Sequence, residues 1–328
     1  MDHQNVEKLY EWIDNSTKMI EEQFQLTYLE SIVEFGELLL REELSEDVND
    51  DVDVKVKSQL NKVDISKFEK EEIRKALQLA ILKGMKGSTQ QHHFITPDSV
   101  AMLMGYLVQK IYDKDEELHI FDPACGSGNL LTGVLNQLPH ENVLAYGSEV
   151  DTTLLQLAYT NANLQQTNIQ FFHQDSLRPF LLAPVDVVVS DLPVGYYPDD
   201  VQAQSYQLRA KEGHSYAHHL FIEQSLNYMK KGAHGLFLVP NFMFDSDQSD
   251  QLHQFIQEHA HVVGVLQLPE TMFKSEKHGK SIFVIQKKGP NTKPPKKALL
   301  AKLPSFKDIK AMDKVLTDIH LWFERDRK

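Results

Sequence analysis

The chain has 328 residues, 41% of them hydrophobic and 25% charged, which suits one large globular domain with a smaller companion and excludes a disordered or fibrous chain. A net charge of −13 argues against a dedicated nucleic-acid binder, although the acidic excess lies in residues 1–269 and residues 270–328 are net basic. A single cysteine, Cys125, excludes an internal disulfide framework, no apolar run spans a bilayer and no secretory pattern opens the chain, so the expected compartment is the cytoplasm.

Residues 1–85 read as a small all-helical domain. Val6, Leu9, Tyr10 and Ile13 form one apolar stripe, Leu26, Leu29, Ile32 and Val33 a second, and Ile73, Ala76, Leu77, Ala80 and Ile81 a third. Between them Asp50 to Lys57 alternates charges with Val52, Val54 and Val56, and is read as a solvated connector rather than an edge strand. None of these residues has catalytic character, and packing or homodimerisation is the expected role. Gly84 to Gln91 is the expected linker into a second domain, 86–328.

Past the linker, His92-His-Phe-Ile-Thr-Pro97 precedes an apolar helical stripe that begins at Val100. Thr96 is placed to cap that helix and Pro97 to open it. Strands are expected near 118–122, 143–148, 169–173, 185–190, 234–239, 261–267 and 281–286. Helices are expected near 129–137, 151–164, 215–230 and 248–258. This alternation predicts an α/β fold with a doubly wound, mostly parallel, seven-stranded sheet that binds ligands at the carboxyl ends of its strands. Residues 289–297 form a Pro/Lys linker. Phe306 to Phe323 form an amphipathic helix with a capping box at Ser305 and Asp308, expected to dock on its own chain.

The first strand runs into Asp122-Pro-Ala-Cys-Gly-Ser-Gly128, a glycine turn ahead of a helix. Gly126 and Gly128 tolerate positive φ and leave the backbone open to a ligand. Glu149, at the tip of the second strand, is placed to accept hydrogen bonds from ribose hydroxyls. Dinucleotides and S-adenosylmethionine both fit such a site. A dinucleotide fingerprint would want a third glycine where Leu131 stands.

The full Asp-Pro-Ala-Cys-Gly-Ser-Gly string resembles the S-adenosylmethionine motif of class I methyltransferases, above all the adenine-N6 DNA methyltransferases of the type I modification-subunit kind and their small stand-alone bacterial relatives. The resemblance covers roughly residues 92–287. It implies S-adenosylmethionine as cofactor, with Asp122, Pro123, Ala124, Gly126, Gly128, Asn129 and Leu130 around the methionine end and Glu149 and Val150 at the ribose. It further implies that Phe94, Ile95 and Thr96 pack over the cofactor, and that Asp175, followed by Ser176, accepts the adenine amino group.

In the same family Asn/Asp-Pro-Pro-Tyr/Phe follows the fourth strand and holds the acceptor amine. Here Asp191-Leu-Pro-Val-Gly-Tyr-Tyr keeps Asp191 and Pro193, puts Leu192 at the first proline and Val194 at the aromatic, and leaves Tyr196 or Tyr197 to supply a ring. Asp191, Pro193, Tyr196 and Tyr197 are thus the catalytic candidates, with Asp191 and Pro193 also at the cofactor. No metal is implied, since His214 and His218 lack companion ligands. The expected activity is methyl transfer to an amino group, with weak nucleic-acid binding through the lysines from Lys274 to Lys302. The alternative is a cofactor-binding but inert regulatory protein.

Overall fold

The structure is a computed structural model that describes residues 1–41, 50–86, 95–112, 116–139 and 142–326. The amino-terminal region packs four helices: α1 (His3–Phe24), α2 (Tyr28–Arg41), α3 (Asp50–Leu60) and α4 (Lys70–Met85). Asp2 caps α1 by accepting the Gln4 N–H, and the helix stops where Gln25 turns to φ 56°. A reciprocal capping box between Glu69 and Glu72 starts α4.

Residues 50–57 correct the connector reading. Val56 and Leu60, one helical turn apart, are both buried, while Val54 is 67% exposed. The i, i+4 pair therefore decides the local structure, not the alternation of valines. The adjacent Gln59 carbonyl accepts the Trp12 indole N–H from α1 at 3.0 Å. The expected linker also begins later than read, because Gly84 and Met85 complete α4; residues 87–94 lie outside the described residues.

The remaining helices are α5 (Asp98–Ile111), α6 (Asn129–Leu135), α7 (Thr152–Leu164), α8 (Asp200–Ala203), α9 (Ala217–Tyr228), α10 (Ser249–His259) and α11 (Ile309–Asp326). The strands are β1 (Leu118–Asp122), β2 (Val143–Glu149), β3 (Ile169–His173), β4 (Val185–Asp191), β5 (Met229–Pro240), β6 (Ala260–Gln267), β7 (Lys280–Lys287) and β8 (Leu299–Lys302). They form one sheet in the order β3-β2-β1-β4-β5-β7-β6-β8, with β7 antiparallel to its neighbours. The seven expected strands are present, and an eighth is added at the edge. β8 follows a Pro/Lys run and only Leu299 of its four residues is buried, so it lacks a strand's apolar signature.

Side chains alternate between the two faces as strand geometry requires. Ile120, Val187, Val189, Leu236 and Leu238 join the core beneath α5, α6 and α11, whereas Phe121, Val188, Phe237 and Val239 join the core beneath α9 and α10. Burial on both faces explains why these strands read as continuous apolar runs. A third core unites α1–α4 with Leu154, Leu157 and Leu164 of α7. The carboxyl-terminal helix docks on its own chain, with Ile319 and Phe323 in the first core and the Trp322 indole bonded to the Lys297 carbonyl. Asp308 caps it by accepting the Ala311 N–H, while Ser305 accepts from Lys307 upstream, so the expected reciprocal box does not form. Among the described residues no helix is long and apolar enough to cross a membrane.

Candidate cofactor and acceptor site

The order of strands reverses at β1, which lies between β2 and β4, and the crevice beyond its carboxyl end is where such sheets hold ligands. Gly126 and Gly128 take φ of 54° and 74°, a region costly for other residues. Their surroundings differ. A Cβ on Gly128 would press on Ala158 of α7 at 3.3 Å, whereas a Cβ on Gly126 would meet nothing within 4 Å. Gly128 thus lets the turn pack on α7, and Gly126 presents bare backbone to open space.

Three carboxylates stand at or just past the carboxyl ends of the neighbouring strands β1, β2 and β3. Glu149 Oε2 accepts the Gly126 N–H, and its Oε1 accepts those of Val150 and Asp151, each at 2.9 Å. The side chain is therefore fixed at the loop before any ligand arrives. Asp122 is fully buried, and its Oδ1 accepts the Ser190 hydroxyl at 2.7 Å and the Ala124 N–H at 3.1 Å. Asp175 sits on the next loop, with Oδ1 accepting the Leu177 N–H at 2.9 Å and Oδ2 the Tyr197 hydroxyl at 2.6 Å.

Burial raises the Asp122 carboxyl to about 7 despite the bonds from Ser190 and Ala124, and the charges of Asp191 and Glu149 push the same way. The folded protein then holds this proton more tightly than the unfolded chain. The resulting stability is present in full below about pH 4 and is lost as pH rises through about 7. Asp122→Asn stays neutral throughout, so it is expected to flatten that part of the profile. Urea unfolding of both proteins from pH 5 to 8 checks this, and parallel profiles would show that Asp122 does not carry the proton.

The loop after β4 turns in front of Asp122. Asp191 Oδ2 accepts the Thr96 hydroxyl at 2.9 Å, and Oδ1 forms an ion pair with Lys280 of β7 at 2.6 Å. This corrects the reading of Thr96 as a helix cap: Pro97 occupies the cap position of α5 and the Thr96 side chain turns to Asp191. Pro193 and Val194 are exposed, and Leu192 is buried in the second core. The two tyrosines part company. Tyr197 is buried with its hydroxyl spent on Asp175, while Tyr196 is 57% exposed and stacks on Tyr216 at 4.9 Å and 17°. Phe242, 39% exposed, lies 6.2 Å from Tyr216 and extends this aromatic wall.

The other expected residues are distributed as follows. Asn129 opens α6, Leu130 is in the first core, and Ile95 packs against the amino-terminal core. The Pro123 carbonyl accepts the Ser176 hydroxyl at 2.7 Å, and Val150 is 66% exposed. Phe94 lies outside the described residues. His214 and His218 do not share a helix face: His214 is bonded to Asp200 ahead of α9, and His218 is buried within it. Burial holds His218 down to about 3. Among the described residues no group of three or more His, Cys, Asp or Glu side chains could hold a metal ion.

Lys280, Tyr216, Phe242 and Ser190 were not anticipated. Lys280 lies 89 positions from Asp191 and only the antiparallel insertion of β7 beside β5 brings them together. Ser190 could have been found, because it is the last residue before Asp191 on a strand adjoining β1.

A model described as the YtxK N-terminal helical domain matches residues 7–85, and one described as N-6 DNA methylase matches residues 82–320. The YtxK protein of Bacillus subtilis is 44% identical over the whole of both chains. A crystal structure from Listeria monocytogenes, assigned to the class I S-adenosylmethionine-dependent methyltransferases, is 41% identical. It covers 98% of this chain and 100% of its own, with a TM-score of 0.91. The methylase subunit of the type I restriction enzyme MpnII of Mycoplasma pneumoniae is 24% identical over 59% of this chain and 40% of its own length. The open cradle at Gly126 and the carboxylate of Glu149 suit S-adenosylmethionine, the cofactor of this group. The chain belongs to the N-6 DNA methylase family of S-adenosylmethionine-dependent methyltransferases and carries a YtxK-type helical region at its amino terminus.

Proposed function

We propose that the protein transfers a methyl group from S-adenosylmethionine to a conjugated, planar amino group, with adenine N6 in nucleic acid as the favoured acceptor. Residues 86–328 carry the chemistry in this reading and residues 1–85 form the helical unit that supports it. The observation that carries the proposal is the position of Asp191, at the carboxyl end of β4 and so next to the end of β1 that leads into the Gly126 loop.

The cofactor supplies an electrophilic methyl group on a sulfonium. The amine's lone pair is delocalised into its ring and attacks poorly unless the nitrogen becomes pyramidal. Asp191 favours that change by accepting an N–H bond; each of its oxygens retains a lone pair beside the bond to Lys280 or Thr96. With the co-substrate bound, the nitrogen would take the methyl carbon while the sulfur–carbon bond pair stays with sulfur, leaving a neutral thioether and an N-methylated cation that then gives one N–H proton to water. Gly126, Glu149, Asp122 and Asp175 are assigned to the cofactor, with Asp175 releasing or sharing its Tyr197 bond to meet the adenine. Tyr196, backed by Tyr216, takes the role of the ring missing at Val194, and a base would stack on its exposed face.

Lys274, Lys277 and Lys302 border the same end of the sheet and are exposed. Phosphate contacts there would each contribute about −0.9 to the salt slope on duplex DNA, so affinity should be weak and steeply salt-dependent. A homodimer through the amino-terminal helices would use their outer faces, because the inner stripes already meet α7. The test is transfer of labelled methyl to adenine-containing single- and double-stranded oligonucleotides. Label is expected in the base, reduced at least tenfold in Tyr196→Ala. Incorporation only into protein from a cell extract would replace nucleic acid as the acceptor.

A further inference from the structure

The amino-terminal helices reach the site through side chains of α4: Gln78 donates to the Thr96 carbonyl at 3.4 Å, Lys75 pairs with Asp98, and the buried Arg74 is bonded to both Asp98 and Asn129. Arg74 of α4 is 1% exposed and carries four bonds with three partners. Its Nε and Nη2 form a fork on the Glu71 carboxylate, at 2.9 and 2.8 Å. Its Nη1 donates to Asp98 Oδ1 at 3.0 Å and to Asn129 Oδ1 at 2.8 Å. Burial pulls the guanidinium's pKa down, but Glu71 and Asp98 overcome it and leave the group above its ordinary value, hence charged. The contact continues inward. Asn129 Nδ2 donates to the Thr96 carbonyl at 2.9 Å, and the Thr96 hydroxyl donates to Asp191. Gly133, one turn along α6 from Asn129, lies beside the guanidinium, and a Cβ there would press on Ala101 of α5 at 3.0 Å while meeting the guanidinium carbon at an ordinary 3.6 Å.

We propose that Arg74 is a positioning residue for S-adenosylmethionine binding, acting through Asn129 and Thr96 to set the start of α6 beside the Gly126–Gly128 turn. This rests on the cofactor and acceptor reading above, and makes the helical region part of the site rather than a neighbour of it. The geometry gives the reason for an arginine. A planar fork can hold Glu71 with one edge while its remaining nitrogen bridges Asp98 and Asn129; a lysine ammonium replaces the charge but cannot span all three. The bonded chain is short, its residues are buried or half-buried, and Gln78 donates to the same Thr96 carbonyl, so α4 holds Thr96 both directly and through Asn129.

Three full-length variants test this against a purely structural role. Arg74→Met should lose both melting temperature and S-adenosylmethionine affinity. Arg74→Lys should recover most of the melting temperature, since the charge still faces Glu71 and Asp98, yet bind S-adenosylmethionine at least tenfold more weakly. Asn129→Asp keeps a partner for Arg74 but loses the N–H to Thr96, and should raise amide exchange at residues 98–101 while α1 and β5 keep wild-type protection. Wild-type affinity in Arg74→Lys, or exchange that rises uniformly over the chain in both Arg74→Lys and Asn129→Asp, would overturn the proposal. Failure of wild type itself to bind S-adenosylmethionine would refute the cofactor reading instead. The exchange measurement, which needs no ligand, would then decide the role of Arg74 alone.

Discussion

Replacing Asp191 with alanine is expected to cut methyl transfer by about 10² or more while changing S-adenosylmethionine affinity by no more than about threefold. The large effect follows from the direction of its carboxylate, which Thr96 and Lys280 hold from two sides. An oriented acceptor is worth more in the transition state than in the ground state, because the N–H bonds it accepts become more acidic as the nitrogen attacks. Alanine also strands the Lys280 amine, which is 21% exposed, so Asp191→Asn is the necessary companion. The amide keeps a bond to Thr96 and an oxygen for the acceptor, and should retain more activity than alanine. Label transfer from the methyl donor measures both variants, with cofactor affinity taken by calorimetry. Wild-type turnover in Asp191→Ala would mean that the acceptor amine is held elsewhere.

Glu149→Ala should weaken S-adenosylmethionine binding by roughly 1.5–3 kcal/mol, the worth of hydrogen bonds to a charged acceptor. A second loss arises inside the protein. The amides of Gly126, Val150 and Asp151 all end on this carboxylate, so its removal leaves three donors to find water and loosens the glycine loop, which then keeps only the Cys125 N–H on the Ser148 carbonyl among these ties to β2. Calorimetry with the cofactor and thermal unfolding without it separate the two contributions. Glu149→Gln, with one acceptor oxygen instead of two, should fall between alanine and wild type in both. Unchanged affinity in Glu149→Ala would remove Glu149 from the ribose site.

The sheet and the glycine loop were legible because their signals are local. Buried strands are continuous apolar runs, and Gly126 and Gly128 mark a turn whose φ values few other residues accept. Asp191 was legible because it sits at a strand end beside a proline loop. Lys280 was not, since nothing near it in the chain separates it from its fellow lysines; the pairing of β7 with β5 puts it opposite Pro240 and within reach of Asp191. Arg74 was hidden in the same way, as an ordinary charge on an amphipathic helix until α6 packs against it. Which of Tyr196 and Tyr197 exposes its ring also needed three dimensions, because adjacent residues differ only in which side of the loop they occupy. The helix at 50–60 was misread since alternating valines outweighed the i, i+4 pair that actually buries.

The shared core of α1–α4 and α7 sets an order of events during synthesis. The four helices α1–α4 leave the ribosome before α7, but Leu154, Leu157 and Leu164 complete their apolar interface. At about 5–20 residues per second, roughly 4–16 s separate the end of α4 from the arrival of α7. Through that interval the core shared by Val33 of α2 and Ile73 and Leu77 of α4 lacks its final members. We expect nascent chains stalled before α7 to be captured by holding chaperones, and chains stalled well beyond it to be released. Equal capture at both lengths would show that the helices close on themselves without waiting for α7.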